Sequence, residues 1–196
     1  MDELGTHLEW PRETIGQFVA SIQARLIEKL EDSPEGRVAI AQQRYDNGVQ
    51  FQKMGHLEEA IAEYNEALRL NPQLAEAYGN RAAAYLDMGR PELTIQDADE
   101  AIRLTPQNFW AYNNRGNAYM KLRDFEQAIQ DFSECIRLNP ELALAYNNRG
   151  VLYDVLGEYT RAIQDFDKAI QLDPNDADTY FNRGYTYGNL GEHQRA

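Results

Sequence analysis

The chain has 196 residues, 43% hydrophobic and 26% charged, the composition of an ordinary soluble protein with one compact domain or one solenoid. Its formal net charge of −13 repels the phosphates that a nucleic-acid-binding surface must neutralise with Lys and Arg, so nucleic acid is set aside as a partner. No apolar run approaches the ~18 residues of a membrane span, Met1-Asp2-Glu3 lacks the basic start of a secretory signal, and the lone Cys135 rules out an internal disulfide; the expectation is a cytoplasmic protein without membrane insertion.

In chain order, residues 1–40 stand apart as an N-terminal extension. Ile15, Phe18, Val19, Ile22, Leu26 and Leu30 form one apolar stripe on a helix predicted from about Arg12 to Glu31. Ser33-Pro34-Glu35 predicts the next helix, with Ser33 as cap and Pro34 in the first turn, running on past residue 40. The stripe needs a surface to cover, and the N-terminal edge of the following structure is the nearest. A capping helix is therefore expected, with occupation of a groove or docking of a partner as alternatives. Glu13, Glu28, Glu31 and Asp32 outweigh Arg12, Arg25 and Lys29 on its polar side, which argues against a membrane-surface role.

From residue 41 the sequence repeats. Pro72, Pro106, Pro140 and Pro174 are 34 residues apart, and the same step relates Ala67, Ala101, Cys135 and Ala169, and Tyr85, Tyr119, Tyr153 and Tyr187. Each proline ends a helix, because it lacks the N–H that would continue the ladder and restricts the residue before it. Within Glu126–Leu138 the apolar residues Ala128, Ile129, Phe132, Cys135, Ile136 and Leu138 fall at the three-and-four spacing of one buried helical face. One helix pair cannot bury that face alone, so stability requires stacked neighbours.

These residues resemble the tetratricopeptide repeat family over roughly residues 41–196. The resemblance implies an all-α fold, a right-handed α-solenoid of helix pairs with units 41–74, 75–108, 109–142, 143–176 and a partial 177–196, preceded by the capping helix. In the family's register Gly48, Ala82, Gly116, Gly150 and Gly184 allow close approach of the two helices, where Ala60, Ala128 and Ala162 answer them, and Tyr64, Phe132 and Phe166 fill the space between them. The second unit departs, with Thr94 and Ala98 in place of Ala and an aromatic, and the third opens with Phe109-Trp110. Compensatory packing and a ligand-facing Trp110 are the two readings. At the other end Ala196 falls where a fifth second helix would begin. Tyr180, Tyr187 and Leu190 are then expected to lack their cover, and either the natural chain continues or that edge pairs with another molecule.

Chemistry has few candidates. His7, His56 and His193 lie in separate segments, too few and too scattered for a zinc site or a histidine-based triad, and no Gly-rich phosphate loop occurs. No enzyme activity, metal or cofactor is expected.

The resemblance further implies that the first helix of each unit lines a concave groove, with the sixth residue of each unit pointing into it: Asn80, Asn114, Asn148 and Asn182. Such a ladder is similar to the asparagine ladder of tetratricopeptide glycosyltransferases, and its amides suit the backbone of an extended peptide. Tyr45, Val49, Trp110, Asn113, Asn117, Lys121, Asn147, Val151, Phe181 and Tyr185 face the groove by the same register. The chaperone-adaptor members grip an acidic C-terminal tail with two Asn and three basic residues. Here Asn117 and Asn148 match the asparagines, but Asn113, Asp178 and Asn182 stand at the basic positions, so that ligand is not implied. A second ladder, Arg81, Arg115, Arg149 and Arg183, is assigned to structural ion pairs with Asp97, Asp131 and Asp165, which follow the first three by sixteen residues. The expected function is a protein-binding scaffold or adaptor that holds a peptide segment of a partner, of basic character, in the manner of an assembly factor for a larger complex. The alternatives are the substrate-recruiting arm of an enzyme continuing past residue 196 and a scaffold that self-assembles into a homo-oligomer through the C-terminal edge.

Overall fold

The computed structural model describes the backbone of residues 12–191 and the side chains of residues 16–22 and 29–191. Among the described residues the chain is helix and turn without strands: α1 (Arg12–Glu31), α2 (Pro34–Lys53), α3 (Leu57–Leu70), α4 (Ala75–Asp87), α5 (Pro91–Leu104), α6 (Phe109–Lys121), α7 (Phe125–Leu138), α8 (Ala143–Val155), α9 (Tyr159–Leu172) and α10 (Ala177–Leu190). The fold is an all-α solenoid of repeated helix pairs.

Helix ends follow from local chemistry. Ser33 Oγ accepts from the Gly36 N–H at 2.9 Å and Pro34 occupies the first turn of α2, the cap that the sequence predicts. That helix runs unbroken through residue 41, so the border of the N-terminal extension falls inside one helix. Helices α3, α5, α7 and α9 each close with one last bond of 2.8 Å, from the N–H of Asn71, Thr105, Asn139 or Asp173 to the carbonyl four residues back. The next residue is proline, and the helix stops. Helices α2, α4, α6 and α8 end differently, on a left-handed residue followed by an N–H that reaches five residues back, as in His56 to Phe51 and Glu158 to Tyr153 at 2.9 and 2.8 Å. Glycine fills the left-handed position at Gly55, Gly89 and Gly157, but in the third unit it is Arg123, with φ 63°.

Within each unit the first helix lies against the second, and each second helix lies against the first helix of the next unit. The first helices α2, α4, α6, α8 and α10 also approach one another directly, whereas consecutive second helices do not come together in this way. The first helices therefore form the inner wall of the arc. Tyr64, Phe132 and Phe166 are fully buried where the helices of a unit meet, and a Cβ on Gly48, Gly116 or Gly150 would stand 2.5, 3.0 or 2.8 Å from their rings. The second unit makes the reciprocal exchange: Ala82 stands where the others have glycine and Ala98 where they have a ring, and both are fully buried. The ring's volume is only partly replaced there, by the methyl of Ala82 and by Thr94, fully buried where the other units have alanine.

The N-terminal helix differs from expectation in one respect. α1 packs on α2, and Glu31 reaches Arg69 of α3 at 3.3 Å, yet Phe18, Val19, Ile22 and Leu30 stay exposed, Phe18 by 60%. Ile15 and Leu26 lie outside the described side chains. The physical reason is on α2, whose buried residues are the small Gly36, Ala41 and Gly48 while Val38 is itself exposed, so it offers little apolar surface to receive the stripe. At the other end Tyr187 of α10 is buried, whereas Tyr180 and Leu190 are exposed.

Candidate functional site

Two ladders tie the inner wall together. Three of the four arginines of the first grip the aspartate sixteen residues ahead with a two-pronged fork, Arg81 on Asp97 at 2.6 and 2.7 Å, Arg115 on Asp131 at 2.9 and 2.7 Å, and Arg149 on Asp165 at 2.7 and 2.8 Å. Each of the four also reaches sixteen residues back into the preceding unit: Arg81 to Asn65, Arg115 to Asp99, Arg149 to Ser133 and Arg183 to Asp167. Each lies 5.5 to 5.9 Å from the ring centroid of the tyrosine three residues before it. Burial pushes the Asp97 and Asp131 carboxyls up and the facing arginine pulls them back. The arginines are structural, as the sequence reading assigns them.

The asparagine ladder is partly spoken for by the solenoid itself. Asn80 Nδ2 donates to Tyr45 Oη at 3.1 Å and Asn182 Nδ2 to Asn147 Oδ1 at 3.1 Å, each partner lying 35 residues earlier. Asn148 instead donates to Asn117 Oδ1 at 3.4 Å, while Asn117 donates to the Asn113 carbonyl at 2.8 Å. Asn113 is thereby left 4% exposed with its Oδ1 unpaired. It does not present its amide to the groove as its register position implies. Asn114 makes no side-chain hydrogen bond among the described residues, because the residues 35 and 31 before it are Gly79 and Ala83, neither with a side-chain acceptor.

Two hollows open along this wall. The larger, about 510 Å³, spans α2, α4 and α6 and is lined by Tyr45, Glu76, Gly79, Asn80, Ala83, Asn108, Trp110 and Asn114. Burial, then the charge of Glu76, raises the Tyr45 phenol above its ordinary range, so its hydroxyl stays protonated as a donor. The smaller hollow, about 290 Å³, lies between α8, α9 and α10, with Val151, Asp154, Phe181, Asn182 and Tyr185 in its lining; Phe181 is 73% exposed and Tyr185 60%.

Sequence-family models match almost continuously from residue 48 to residue 196: "Tetratricopeptide repeat" at 75–108, 109–142, 143–176 and 166–196, and "TPR repeat" at 48–89. The chain belongs to the tetratricopeptide repeat family. No curated protein matches the sequence. Among solved structures, that of the MamA protein is 26% identical with a TM-score of 0.72, covering 79% of this chain and 85% of its own. TTC0263, a thermophilic tetratricopeptide repeat protein of Thermus thermophilus, is 25% identical with a TM-score of 0.66, covering 79% and 85%. YrrB, described as "a TPR protein with an unusual peptide-binding site", is 22% identical with a TM-score of 0.68, covering 88% and 85%; its likeness shows the fold. Tetratricopeptide repeat proteins are in general protein-interaction scaffolds, and that is the coarse function of this chain.

Of the residues read as groove-facing in this tetratricopeptide repeat chain, Tyr45, Asn80, Trp110 and Asn114 meet in the larger hollow, and Val151, Phe181, Asn182 and Tyr185 in the smaller. Asn117 and Asn147 serve as rung acceptors, Val49 is half-buried and Lys121 exposed outside both hollows. The sequence reading missed Glu76, Gly79 and Ala83. Their signal was the register: 34 residues before Trp110, Asn113 and Asn117, they occupy groove positions but with a carboxylate and two small residues instead of rings and amides. Among the described residues no helix is long and apolar enough to cross a membrane, and no three His, Cys, Asp or Glu converge as metal ligands. His56 is exposed, with Nδ1 at 3.9 Å from Glu59, and His7 and His193 lie outside the described residues.

Proposed function

We propose that the inner wall holds an extended segment of a partner protein, and that the chain works in the cytoplasm as an adaptor in assembling a larger complex, with no catalysis of its own. One observation carries this reading. From Tyr45 through Trp110 to Phe181 and Tyr185, the inner wall presents rings that are half-buried or exposed, interleaved with amides whose nitrogens are held by rungs at Asn80, Asn148 and Asn182. Rings of this kind give rigid contact area at low entropy loss, and an amide fixed through its nitrogen turns its oxygen toward the N–H groups of an extended backbone. The net charge of −13 favours a basic segment. The peptide-binding site named for YrrB supports the use of this fold for such a ligand.

The test is selection of random-sequence peptides displayed on phage against the whole chain, followed by fluorescence anisotropy on those retained. The expected result is binding that the double variant Trp110→Ala, Tyr185→Ala weakens by about tenfold or more. Failure to retain any peptide, or equal affinity for the double variant, overturns the reading.

A further inference from the structure

The rung that is missing between Gly79 and Asn114 leads beyond a general groove. At the sixth position of three units the asparagine nitrogen is held by a side-chain acceptor in the preceding unit, 35 residues back in Asn80 to Tyr45 and Asn182 to Asn147 and 31 back in Asn148 to Asn117; for Asn114 those two positions are Gly79 and Ala83. Neither has an acceptor. Both polar atoms of Asn114 therefore remain available, and the space that a side chain at residue 79 would take belongs to the hollow of about 510 Å³. An added Cβ on Gly79 would meet nothing closer than Asn108 Nδ2 at 3.7 Å. Glycine is thus not demanded there by packing, and in mid-helix it is unfavourable relative to almost any other residue.

The hollow has a definite polarity. Asn80 has its nitrogen committed to Tyr45, and Asn108 has its oxygen committed to the Ala111 N–H at 3.2 Å. Glu76 is the charged residue in the lining, and it is exposed. Trp110, 49% exposed, forms a wall with its ring 5.2 Å from that of Phe109. A carboxylate, an open amide oxygen on Asn80, an unpaired amide on Asn114 and an indole face are together complementary to a planar cation that donates several hydrogen bonds. An anionic side chain would meet Glu76 in a molecule that already carries a net charge of −13.

We infer that the gap at Gly79 and Asn114 is a specificity pocket for one arginine side chain of the bound segment, with the guanidinium against Trp110, paired with Glu76 and bonded to Asn80 and Asn114. This rests on the proposed function, since the arginine belongs to the segment held in the groove. It adds that the second and third units read a side chain, whereas the closed rungs elsewhere leave the groove to contact backbone.

The test uses the phage-selected peptides on the whole chain and on two variants. Gly79→Asn restores the missing acceptor and fills the hollow while replacing a helical glycine, and Glu76→Gln keeps shape and removes charge. The selected peptides are expected to share an arginine whose replacement by citrulline or alanine weakens binding to the unaltered chain by about tenfold. That penalty is expected to fall below about twofold on Gly79→Asn, and on Glu76→Gln arginine is expected to lose most of its advantage over citrulline. Peptides that bind through Trp110 and Tyr185 without any shared arginine, or an arginine preference undiminished in Gly79→Asn, overturn the pocket and leave the groove standing. Absence of any bound peptide overturns both.

Discussion

Arg115 holds Asp131 by two side-by-side hydrogen bonds, Nε to Oδ2 at 2.9 Å and Nη2 to Oδ1 at 2.7 Å, and with its remaining nitrogen Nη1 crosses to Asp99 of the preceding unit at 2.5 Å. The two carboxylates are not equivalent. The Asp131 side chain is 6% exposed and that of Asp99 52%. Removing the arginine strands a buried charge in the first case and merely releases a solvated one in the second.

Arg115→Leu is therefore expected to destabilise the fold by about 3 kcal/mol in urea titrations, and Arg115→Met with Asp131→Leu to recover most of that loss. Asp99→Ala is expected to change stability by less than about 1 kcal/mol. A loss below about 1 kcal/mol for Arg115→Leu would mean that the fork contributes no more than a surface pair.

Close packing at the helix crossings separates two kinds of glycine. At Gly150 a Cβ would lie 2.8 Å from Phe166, but at Gly79 the nearest atom is 3.7 Å away. Alanine improves helix propensity by about 1 kcal/mol at both positions, and overpacking opposes it at the first by about 1–3 kcal/mol. Gly79→Ala should raise the urea midpoint and Gly150→Ala lower it. Adding Phe166→Ala relieves the contact but empties a fully buried ring site, and should leave the double variant less stable than Gly150→Ala alone, by about 3–5 kcal/mol relative to the parent. A Gly150→Ala variant as stable as the parent would show that the Phe166 ring is free to shift.

Arg123 stands in the left-handed region with φ 63°, where the other units place Gly55, Gly89 and Gly157. A residue with a Cβ is strained there by roughly 1 kcal/mol. Arg123→Gly should raise stability by about that amount, and the converse Gly157→Arg should lower it by a similar amount. Thermal unfolding followed by circular dichroism reads both, and a destabilised Arg123→Gly would show that the side chain makes a contribution that outweighs the strain.

The helix pairs were legible because their punctuation is chemical: a proline every 34 residues and a small residue opposite each large ring leave one packing solution. Half of the arginine network was legible for the same reason, since aspartate recurs at the forward position. The backward half was not, because Asn65, Asp99, Ser133 and Asp167 share an oxygen and no residue type. In the groove the register located the asparagines but not their partners. Whether an amide is free depends on the side chains 31 and 35 residues back in another helix, and an alanine and a glycine there leave no mark in a hydrophobic pattern. The exposure of Phe18 and Ile22 was equally hidden, because a stripe on one helix says nothing of whether the facing helix has apolar surface to meet it.

Two buried acids of high pKa give the fold a sensitivity to alkali. Burial, with a smaller contribution from the Asp131 charge, pushes the Cys135 thiol from 9.0 up to about 12. Burial also pushes the Tyr64 phenol from 10.0 up to about 12, and that hydroxyl donates to Gln52 Oε1 at 2.7 Å. In each case the folded state holds its proton more tightly than the unfolded chain. The resulting stability is fully present below the unfolded pKa and is lost as pH rises through the folded one, so the window runs from about pH 9 to about pH 12. Across it each group should remove on the order of 3 kcal/mol, the thiol more than the phenol. Urea titrations at a series of pH values should show unfolding free energy falling through this window, and Tyr64→Phe with Cys135→Ala should give a shallower fall from a lower starting value. The thiol supplies an independent check: in the folded protein its reaction with a disulfide reagent should be far slower than in urea and should continue to accelerate above pH 9, the ordinary thiol value, instead of levelling there. A thiol that reacts at the same rate in both states would place Cys135 outside the core, and a stability curve unchanged in the double variant would show that these two protons do not govern alkaline unfolding.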